Sequence, residues 1–485
     1  MNPLLILSLF VAYSALLFII AGITSRKSTN DTYFTGNRNS PWYVVAYGMI
    51  GASLSGVTFI SIPGEVGSSG FSYMVLVLGY LIGYAFIAQV LLPVYYGRKL
   101  TSIYTYLEQR FGNATYKTGA SFFILSRSIG SSFRIFIVVN VLQIFVFDPW
   151  GIPFAVNVSL FMGLILLYTF RGGIKTIVWT DTLQTTFMLL AVLVSVFIIS
   201  DHLGAGLPAL LREVRESNYS DMFFTDINDP RNYLKQFFSG AFISIVMTGL
   251  DQDMMQKNLT CRNLKDAKKN IYLMSWSLVP VNLIFMTLGA MMYIYASKLS
   301  IPLPVRSDDL FPVLALQYLG PVAGITFLTG LIAAAFSSAD GSLTALTTSF
   351  SIDILGLERR TGLSDRIKVR RRMLVHFTFA VYLAGLVVLF RAISDESVIN
   401  KLFTIAGYTY GPLLGLFAFG LFTKRSVNDR FVPLIAVLSP VLSYVISANS
   451  VAWFNGYRFG FELLIVNGLI TVLGLFLLSR PAKEK

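Results

Sequence analysis

The sequence predicts an all-α integral membrane protein, and two observations carry that prediction. Hydrophobic residues make up 55% of the 485 residues and charged residues only 13%, which is about half the charged share of a typical soluble domain. Apolar runs of about 20 residues, long enough to cross the hydrocarbon layer as helices, recur from one end of the chain to the other. A soluble enzyme is therefore disfavoured.

Thirteen apolar runs are predicted as transmembrane helices, and the segments between them are too short for a second globular domain. The runs lie near residues 3–23, 42–63, 72–97, 118–147, 154–170, 178–200, 236–255, 270–295, 321–350, 373–392, 401–423, 431–449 and 460–479.

The basic residues predict which side of the membrane each loop faces. No Lys or Arg precedes the first run, so this run is predicted to be an uncleaved anchor with its N-terminus outside. Alternating loops then place 27 of the 38 Lys and Arg inside and 9 outside, while Arg127 and Arg134 lie within a span. This asymmetry predicts the C-terminus inside and explains the net charge of +13 without a nucleic-acid partner. Basic loops that bind nucleic acid or anionic headgroups are the alternative.

Few side chains are available for catalysis. Cys261 is the only cysteine, which excludes an intrachain disulfide, and His202 and His376 are the only histidines. A membrane enzyme would need a nucleophile with a base, a metal cluster or paired carboxylates, so the chain is predicted not to be an enzyme; a channel is disfavoured as well. Cys261 is predicted in an inner loop, where a membrane-impermeant maleimide would not reach it.

Small and polar residues in the second run predict a broken helix. The segment from Gly51 to Thr58 holds two glycines and three hydroxyls, and Pro63 follows. These residues weaken the backbone hydrogen-bond ladder. Carbonyl oxygens released near the membrane midplane can replace the water shell of a sodium ion. Close packing of small residues against a neighbouring helix is the alternative.

The ninth run carries polar residues around one carboxyl group. Two overlapping stripes at helical spacing run along it: Ala334, Ser337, Ser338 and Gly341, and Ser337, Asp340 and Thr344. A single hydroxyl more often bonds the carbonyl four residues earlier, but a carboxylate in mid-span is costly without a cation. The stripe therefore favours cation binding.

Three further carboxyl groups need an explanation. Asp181 is predicted inside a span at a depth similar to that of Asp340, and an ion pair with the basic turn 171–175 is the alternative to cation binding. Asp251 and Asp253 lie at a predicted cytoplasmic helix end beside Lys257. They are predicted to be structural.

Arg127, Ser131 and Arg134 share one face of the fourth run. Arginines at membrane depth indicate an anionic partner. The partner could be a substrate carboxylate held by two parallel hydrogen bonds or a protein carboxylate such as Glu65. The third alternative is snorkelling towards a water-filled cavity.

Together these residues resemble the sodium/solute symporter family. The matching motifs, in chain order, are Thr58–Pro63, Gly172–Ile174, Trp179–Asp181, Gln252–Gln256 and Ala334–Asp353. The resemblance covers nearly the whole chain and implies the leucine-transporter fold, with two inverted five-helix repeats whose first helices are broken.

That resemblance also divides the chain. It implies an extra helix and inner loop at 1–41, a first repeat at 42–200, an external loop at 201–235, a second repeat at 236–423, and two further helices with a tail at 424–485.

Roles for sodium ligands follow from the same resemblance. A first sodium site would use backbone carbonyls and hydroxyls of Gly51, Leu54, Ala334, Ser337 and Ser338. A second site, found in some members, would use Asp181, Ser337 and Asp340. Asp340 stands where those members have a serine, and Gly341 takes the place of another hydroxyl-bearing residue. Asp340 could therefore either tighten sodium binding at this second site or carry a proton instead. One or two sodium ions are expected.

Substrate-side positions are implied by comparison with the sialic acid transporters of the family. They are Ser53, Ser55, Thr58, Tyr73, Arg127, Ser131 and Arg134. The substrate-binding arginine of those transporters aligns with Ser131, with Arg127 and Arg134 one turn to either side, and Val77 replaces a polar residue.

The resulting prediction is a sodium-coupled symporter that imports a small polar organic solute, such as the acidic sugar sialic acid, by alternating access. A neutral sugar, polyol, amino acid or vitamin is the alternative solute. The expected partners are this solute, sodium ions and the lipid bilayer. The chain is expected to be a monomer in the cell membrane, which is the inner membrane if the source is Gram-negative.

Overall fold

Helices dominate the fold of this chain. The computed structural model describes residues 3–24, 30–360, 362–391 and 398–481. The first nine helices are α1 (Pro3–Thr24), α2 (Asn30–Thr35), α3 (Trp42–Ser69), α4 (Ser72–Phe86), α5 (Leu92–Gly97), α6 (Thr105–Arg110), α7 (Asn113–Leu142), α8 (Phe154–His202) and α9 (Leu207–Glu216). The others are α10 (Tyr233–Ser244), α11 (Gln252–Asn258), α12 (Leu264–Lys298), α13 (Leu310–Val313), α14 (Gly320–Ser349), α15 (Asp365–Arg391), α16 (Val398–Phe422), α17 (Val432–Ala448), α18 (Ser450–Trp453) and α19 (Leu463–Leu478).

Short elements complete the backbone. π-helical turns continue α4, α7, α10, α13 and α14 at Ile87–Leu91, Gln143–Phe147, Ile245–Gly249, Leu314–Tyr318 and Phe350–Ile354. Two strands, β1 (Ser426–Val427) and β2 (Ser479–Arg480), pair antiparallel and tie the end of α16 to the end of α19.

Ten helical segments among the described residues are long and apolar enough to cross a membrane. The fifth and thirteenth predicted runs correspond to shorter apolar helices, Phe154–Phe170 and Leu463–Leu478. The seventh corresponds to α10 and its π-helical turn. Each predicted run therefore overlaps a helix, while the number of membrane crossings and the side of each terminus stay predictions.

The fifth and sixth predicted runs are two helical segments, Phe154–Phe170 and Gly173–His202, that follow each other across a sharp bend within α8. α8 continues from Phe154 to His202 and bends at Gly173, where φ is 52° and ψ is −140°. A Cβ atom at this glycine would lie 2.5 Å from Cδ2 of Tyr33, so the bend and the close approach of α2 both require glycine.

α14 lies at the centre of the bundle. It packs against α1, α3, α7, α8, α11 and α15. Every residue from Gly330 to Ser349 is buried, so its hydroxyls and its one carboxyl group must find partners inside the protein. Phe59 of α3 stacks on Phe327 of α14 with ring centroids 5.7 Å apart, which fixes the second predicted run against the ninth.

The short helix α2 closes the bundle at the end where α3 begins. The buried ring of His376 has Nδ1 at 3.2 Å from Oη of Tyr33 and at 2.9 Å from Oγ1 of Thr347, and Nε2 at 2.9 Å from Oγ1 of Thr169. The guanidinium of Arg372 lies 4.0 Å from the centre of the Tyr33 ring. His376 of α15 thus connects α2 with the long helices α8 and α14.

Cys261 is buried rather than displayed in an open loop. It is 0% exposed, and burial raises the pKa of its thiol to about 12. The thiolate is the form that reacts with maleimide, so resistance to labelling would follow on either side of the membrane. The predicted labelling test at this cysteine therefore does not report topology.

Candidate ion and solute site

The break predicted in the second run lies at Ser55 of α3. Ser55 has φ 46° and ψ 173°, which interrupts an otherwise helical backbone from Trp42 to Ser69. Carbonyls in the turn before such a break lack their usual helical N–H partners. Close packing is present as well, because a Cβ atom at Gly51 would lie 2.1 Å from Oγ1 of Thr185 on α8. This small-residue segment therefore has both a break and close packing, while sodium binding there stays a prediction.

The five positions expected to form the first sodium site lie on α3 and α14, which pack against each other. Gly51, Leu54, Ala334, Ser337 and Ser338 are all buried. The hydroxyl of Ser338 donates to the Ala334 carbonyl at 2.9 Å, and the hydroxyl of Ser337 donates to Oδ1 of Asp181 at 2.8 Å. Both hydroxyl oxygens keep lone pairs that a cation could use.

Asp181 has a partner that the sequence did not indicate. Nζ of Lys257 on α11 lies 2.9 Å from Oδ2 of Asp181 and 3.6 Å from Oδ1 of Asp253. The Lys257 side chain is 1% exposed, although the sequence places this lysine in a basic cytoplasmic loop. Its ammonium is therefore part of the polar core of the bundle.

Asp251 and Asp253 hold Arg127. The Arg127 guanidinium forms an ion pair with Oδ2 of Asp253, lies 3.5 Å from Oδ2 of Asp251, and donates from Nε to the Ser342 hydroxyl at 2.9 Å. The phenol of Tyr410 donates to the same Asp251 oxygen at 2.6 Å. The protein carboxylates that balance Arg127 are thus these two, whereas Glu65 accepts from Ser68 and Asn400.

Asp340 is also fully buried. Its Oδ2 accepts from the Tyr168 hydroxyl at 2.5 Å, and its Oδ1 accepts from the backbone N–H of Gly341 at 2.6 Å. A Cβ atom at Gly341 would lie 2.7 Å from Oδ1 of Asp253. A serine at 341 would therefore collide with the carboxylate that faces Lys257, which explains why the polar stripe has a glycine there.

A polar cavity of about 80 Å³ lies beside the break in α3. Its polar lining comes from α3, α4, α7, α12 and the π-helical turn after α10, and includes Ser53, Ser55, Thr58, Tyr73, Tyr80, Tyr84, Arg127, Arg134, Thr248 and Asn282. Ser53, Ser55, Thr58, Tyr73, Arg127 and Arg134 were expected there from the sequence.

Arg134 differs from Arg127 in having no protein partner. Within the described residues it forms no ion pair, and its Nε has no hydrogen-bond acceptor although it is buried. Ser131, the third member of this helical face, is 0% exposed, donates to the Arg127 carbonyl at 2.6 Å, and does not line the cavity. The Arg134 guanidinium therefore borders the cavity without an ion pair, and the charges of Asp251 and Asp253 act on it only from a longer distance.

Three tyrosines of the cavity follow a pattern that the sequence contains. Tyr73, Tyr80 and Tyr84 are spaced by seven and four residues on α4, which places them on one helical face. The Tyr73 and Tyr80 hydroxyls lie 3.1 Å apart. Of the three, only Tyr73 was expected here, because the comparison with the sialic acid transporters implied that position alone on this helix. Asn282 and Thr248 carried no such signal.

A second, larger cavity of about 450 Å³ lies at the far end of α3 and is called the vestibule here. Tyr73 and Phe403 line both cavities, and their rings stack with centroids 6.4 Å apart. The vestibule also contains Asp229 and Arg231, which form an ion pair at 2.7 Å. Hydrogen bonds from Arg231 hold the pKa of Asp229 below its usual range. The Tyr73–Phe403 pair thus separates the polar cavity from the vestibule.

Comparison with known proteins finds relatives that match over nearly the whole chain. The sodium/sialic acid symporter SiaT of Proteus mirabilis is 24% identical over 98% of this chain and 95% of its own length. The sodium/sialic acid symporter NanT of Aliivibrio fischeri is 24% identical over 96% of this chain and 92% of its own. A solved Na⁺-coupled sialic acid symporter in a substrate-bound outward-open state matches with a TM-score of 0.84 at 21% identity, covering 99% of both chains, which shows a shared fold.

The family match extends over most of the chain. The model of the sodium:solute symporter family matches residues 33–430. This span includes the break at Ser55, the cavity around Arg134 and the buried carboxylates of α8 and α14. The chain therefore belongs to the sodium:solute symporter family.

Proposed function

We propose that this sodium-coupled membrane symporter imports a small organic acid, with an acidic sugar such as sialic acid as the leading solute class. The observation that carries the proposal is Arg134, whose guanidinium borders a polar cavity without a protein carboxylate. An unpaired charge at membrane depth is costly. A solute carboxylate would compensate it through two parallel charge-assisted hydrogen bonds.

The other groups around the cavity suit a hydroxylated solute. Ser53, Ser55 and Thr58 from the broken helix and the phenols of Tyr73 and Tyr80 offer both donors and acceptors. A sugar acid presents one carboxylate and several hydroxyls, so it would satisfy the arginine and these groups together. The names of the two bacterial relatives support the same class.

A first sodium ion is proposed on the other face of the same break. Its ligands would be the carbonyls of Gly51, Leu54 and Ala334 and the hydroxyls of Ser337 and Ser338. Because Ser53, Leu54 and Ser55 are consecutive and all line the cavity, an ion held at the Leu54 carbonyl would fix the backbone that presents the two hydroxyls. Sodium binding and solute binding would therefore stabilise the same conformation of α3.

Removing the hydroxyl ligands should weaken sodium coupling. Ser337→Ala and Ser338→Ala are each expected to raise the sodium concentration for half-maximal uptake by roughly 5- to 30-fold, since a lost polar ligand costs about 1–2 kcal/mol. Sodium titration of uptake into proteoliposomes measures this. Thr329→Val is the matched control, because Thr329 makes the same back-bond to the carbonyl four residues earlier on α14. Equal sodium dependence in Ser338→Ala and the control would contradict the assignment.

Alternating access is proposed to use two closures. The stacked Tyr73 and Phe403 separate the cavity from the vestibule, and α2 covers the opposite end through Tyr33. Two inverted repeats, 42–200 and 236–423, would rock against each other around the cavity. Residues 1–41 would precede the first repeat, the external loop 201–235 would connect the two repeats, and residues 424–485 would follow the second. The chain would cross the membrane thirteen times, with its N-terminus outside. The vestibule would then be the extracellular entrance.

Two introduced cysteines test this topology. In a Cys261→Ala background, Asn228→Cys should react with an impermeant maleimide on intact cells, whereas Lys265→Cys should react only after permeabilisation. Both positions are exposed, so access to solvent is matched and only the side of the membrane differs. Labelling of Lys265→Cys from outside would reverse the proposed orientation.

A solute screen tests the proposed function itself. Purified protein would be heated with acidic sugars, neutral sugars, amino acids and vitamins, with and without sodium, because a ligand that binds the folded state raises its melting temperature. We expect sodium-dependent stabilisation by acidic sugars. Solutes that stabilise would then be followed into proteoliposomes, where recovery of unchanged solute supports transport by this chain, proposed to be a monomer, over an enzymatic reaction. Stabilisation by neutral solutes alone would contradict the role given to Arg134.

A further inference from the structure

The second sodium site implied by the family resemblance already holds a positive charge. That site would use Asp181, Ser337 and Asp340. In the structure, one oxygen of Asp181 accepts from Ser337 and the other lies 2.9 Å from Nζ of Lys257. Both oxygens of this carboxylate therefore have partners, and one partner is a cation.

The surroundings of Lys257 suit a fixed ammonium ion. Its side chain is 1% exposed, and Asp181 on α8 and Asp253 on α11 approach Nζ from two helices. Asp340 is the third carboxylate whose charge acts on this ammonium. Buried charges persist where they are paired. Lys257 thus takes the place that a bound cation would occupy among these carboxylates.

Gly341 of α14 faces the same group of charges. Position 341 is glycine, and the Asp253 carboxylate fills the space in front of it, 2.7 Å from where a Cβ atom would stand. That carboxylate is kept in place by Arg127 on its other oxygen. The glycine at 341 therefore leaves room for the Asp253 carboxylate that faces Lys257.

We propose that the ammonium of Lys257 is a tethered cation that fills the second sodium site, so that this chain binds a single sodium ion per transport cycle. A sodium ion at Asp181 would have to share the carboxylate with Lys257, and two cations on one carboxylate repel each other. This inference rests on the proposed function, because it concerns how many ions accompany the solute.

Counting bound sodium tests the proposal. Equilibrium binding of radioactive sodium to the purified full-length chain, with sialic acid as the probe solute, should give one ion per wild-type chain. Asp181→Asn should still bind one ion, since Lys257 keeps Asp253 as a partner. Two ions on the wild-type chain, or fewer ions after Asp181→Asn, would overturn the proposal.

Removing the tethered charge should create the missing site. Lys257→Met leaves Asp181 and Asp340 without the ammonium, and we expect it to bind two sodium ions and to raise the Hill coefficient of sodium-dependent uptake from about 1 towards 2. The double variant Lys257→Met with Asp181→Asn should return to one ion. Folded Lys257→Met protein that still binds one ion would overturn the inference.

Two outcomes separate this inference from the proposed function. If Lys257→Met does not fold, as judged by thermal unfolding, the wild-type chain and Asp181→Asn still decide the ion count. A wild-type chain that binds no sodium at all contradicts the proposed symport mechanism, whereas a chain that binds two contradicts only the role of Lys257.

Discussion

Arg134→Gln is expected to raise the KM for sialic acid uptake by roughly 10- to 100-fold, since hydrogen bonds to a charged group contribute about 1.5–3 kcal/mol. The glutamine amide can donate to a solute carboxylate but carries no charge and cannot form the paired bonds of a guanidinium. Arg134→Lys keeps the positive charge but cannot form two parallel hydrogen bonds to a carboxylate, so its KM should lie between those of the wild type and Arg134→Gln.

Uptake kinetics in proteoliposomes at saturating sodium measure this effect. Ser131→Ala is the matched control, because Ser131 lies one turn away on the same helix, is buried, and does not line the cavity. Its KM should stay close to that of the wild type. Equal KM values for Arg134→Gln and Ser131→Ala would show that Arg134 does not bind the solute carboxylate.

Arg127→Met is expected to destabilise the protein by about 3–5 kcal/mol, because breaking a buried ion pair leaves its partner charges without compensation. The stranded groups would be Asp251 and Asp253, which are 0% and 2% exposed. The same substitution at Arg134 removes a charge that forms no ion pair among the described residues and that interacts with Asp251 and Asp253 only from a longer distance. Arg134→Met should therefore unfold at or above the wild-type temperature.

Thermal unfolding of the two variants in the same detergent, without solute, gives the comparison. Both replace an arginine of α7 by methionine, but Arg127 is buried and paired with two carboxylates, whereas Arg134 is partly buried and forms no ion pair among the described residues. A large drop in melting temperature for Arg134→Met, or no drop for Arg127→Met, would contradict the roles assigned to the two arginines.

Much of the fold was readable from the sequence because the bilayer restricts it. A chain in hydrocarbon must satisfy its backbone within helices, so apolar runs of sufficient length predict helices directly. The break near Ser55 was also readable, since glycine, hydroxyls and Pro63 coincide within a few turns. The boundary between the fifth and sixth runs was readable too, but the sequence did not show that the helix resumes directly at the bend of Gly173. A sharp bend and a loop are both compatible with a glycine pair between apolar runs.

Partners within the site could not be assigned from the sequence. Lys257 looked like one more basic residue of a cytoplasmic loop, because positive charge near a helix end is usual there. Its long side chain instead reaches Asp181, 76 positions earlier in the chain, from a short helix that packs against α14. Likewise, Arg127 and Arg134 share one face of α7, and sequence spacing alone cannot show that only Arg127 meets carboxylates.

By itself, then, the sequence determined that this protein is a helical membrane protein of the sodium:solute symporter type, with a broken second helix and polar groups on the ninth. Hydropathy and backbone chemistry are local properties, which neighbouring residues express without the rest of the fold. Only the tertiary structure decided which charges neutralise one another: Arg127 with Asp253, Lys257 with Asp181, and Arg134 with no partner among the described residues. Charge pairing depends on distances of a few ångströms between helices far apart in sequence, and helix packing sets those distances.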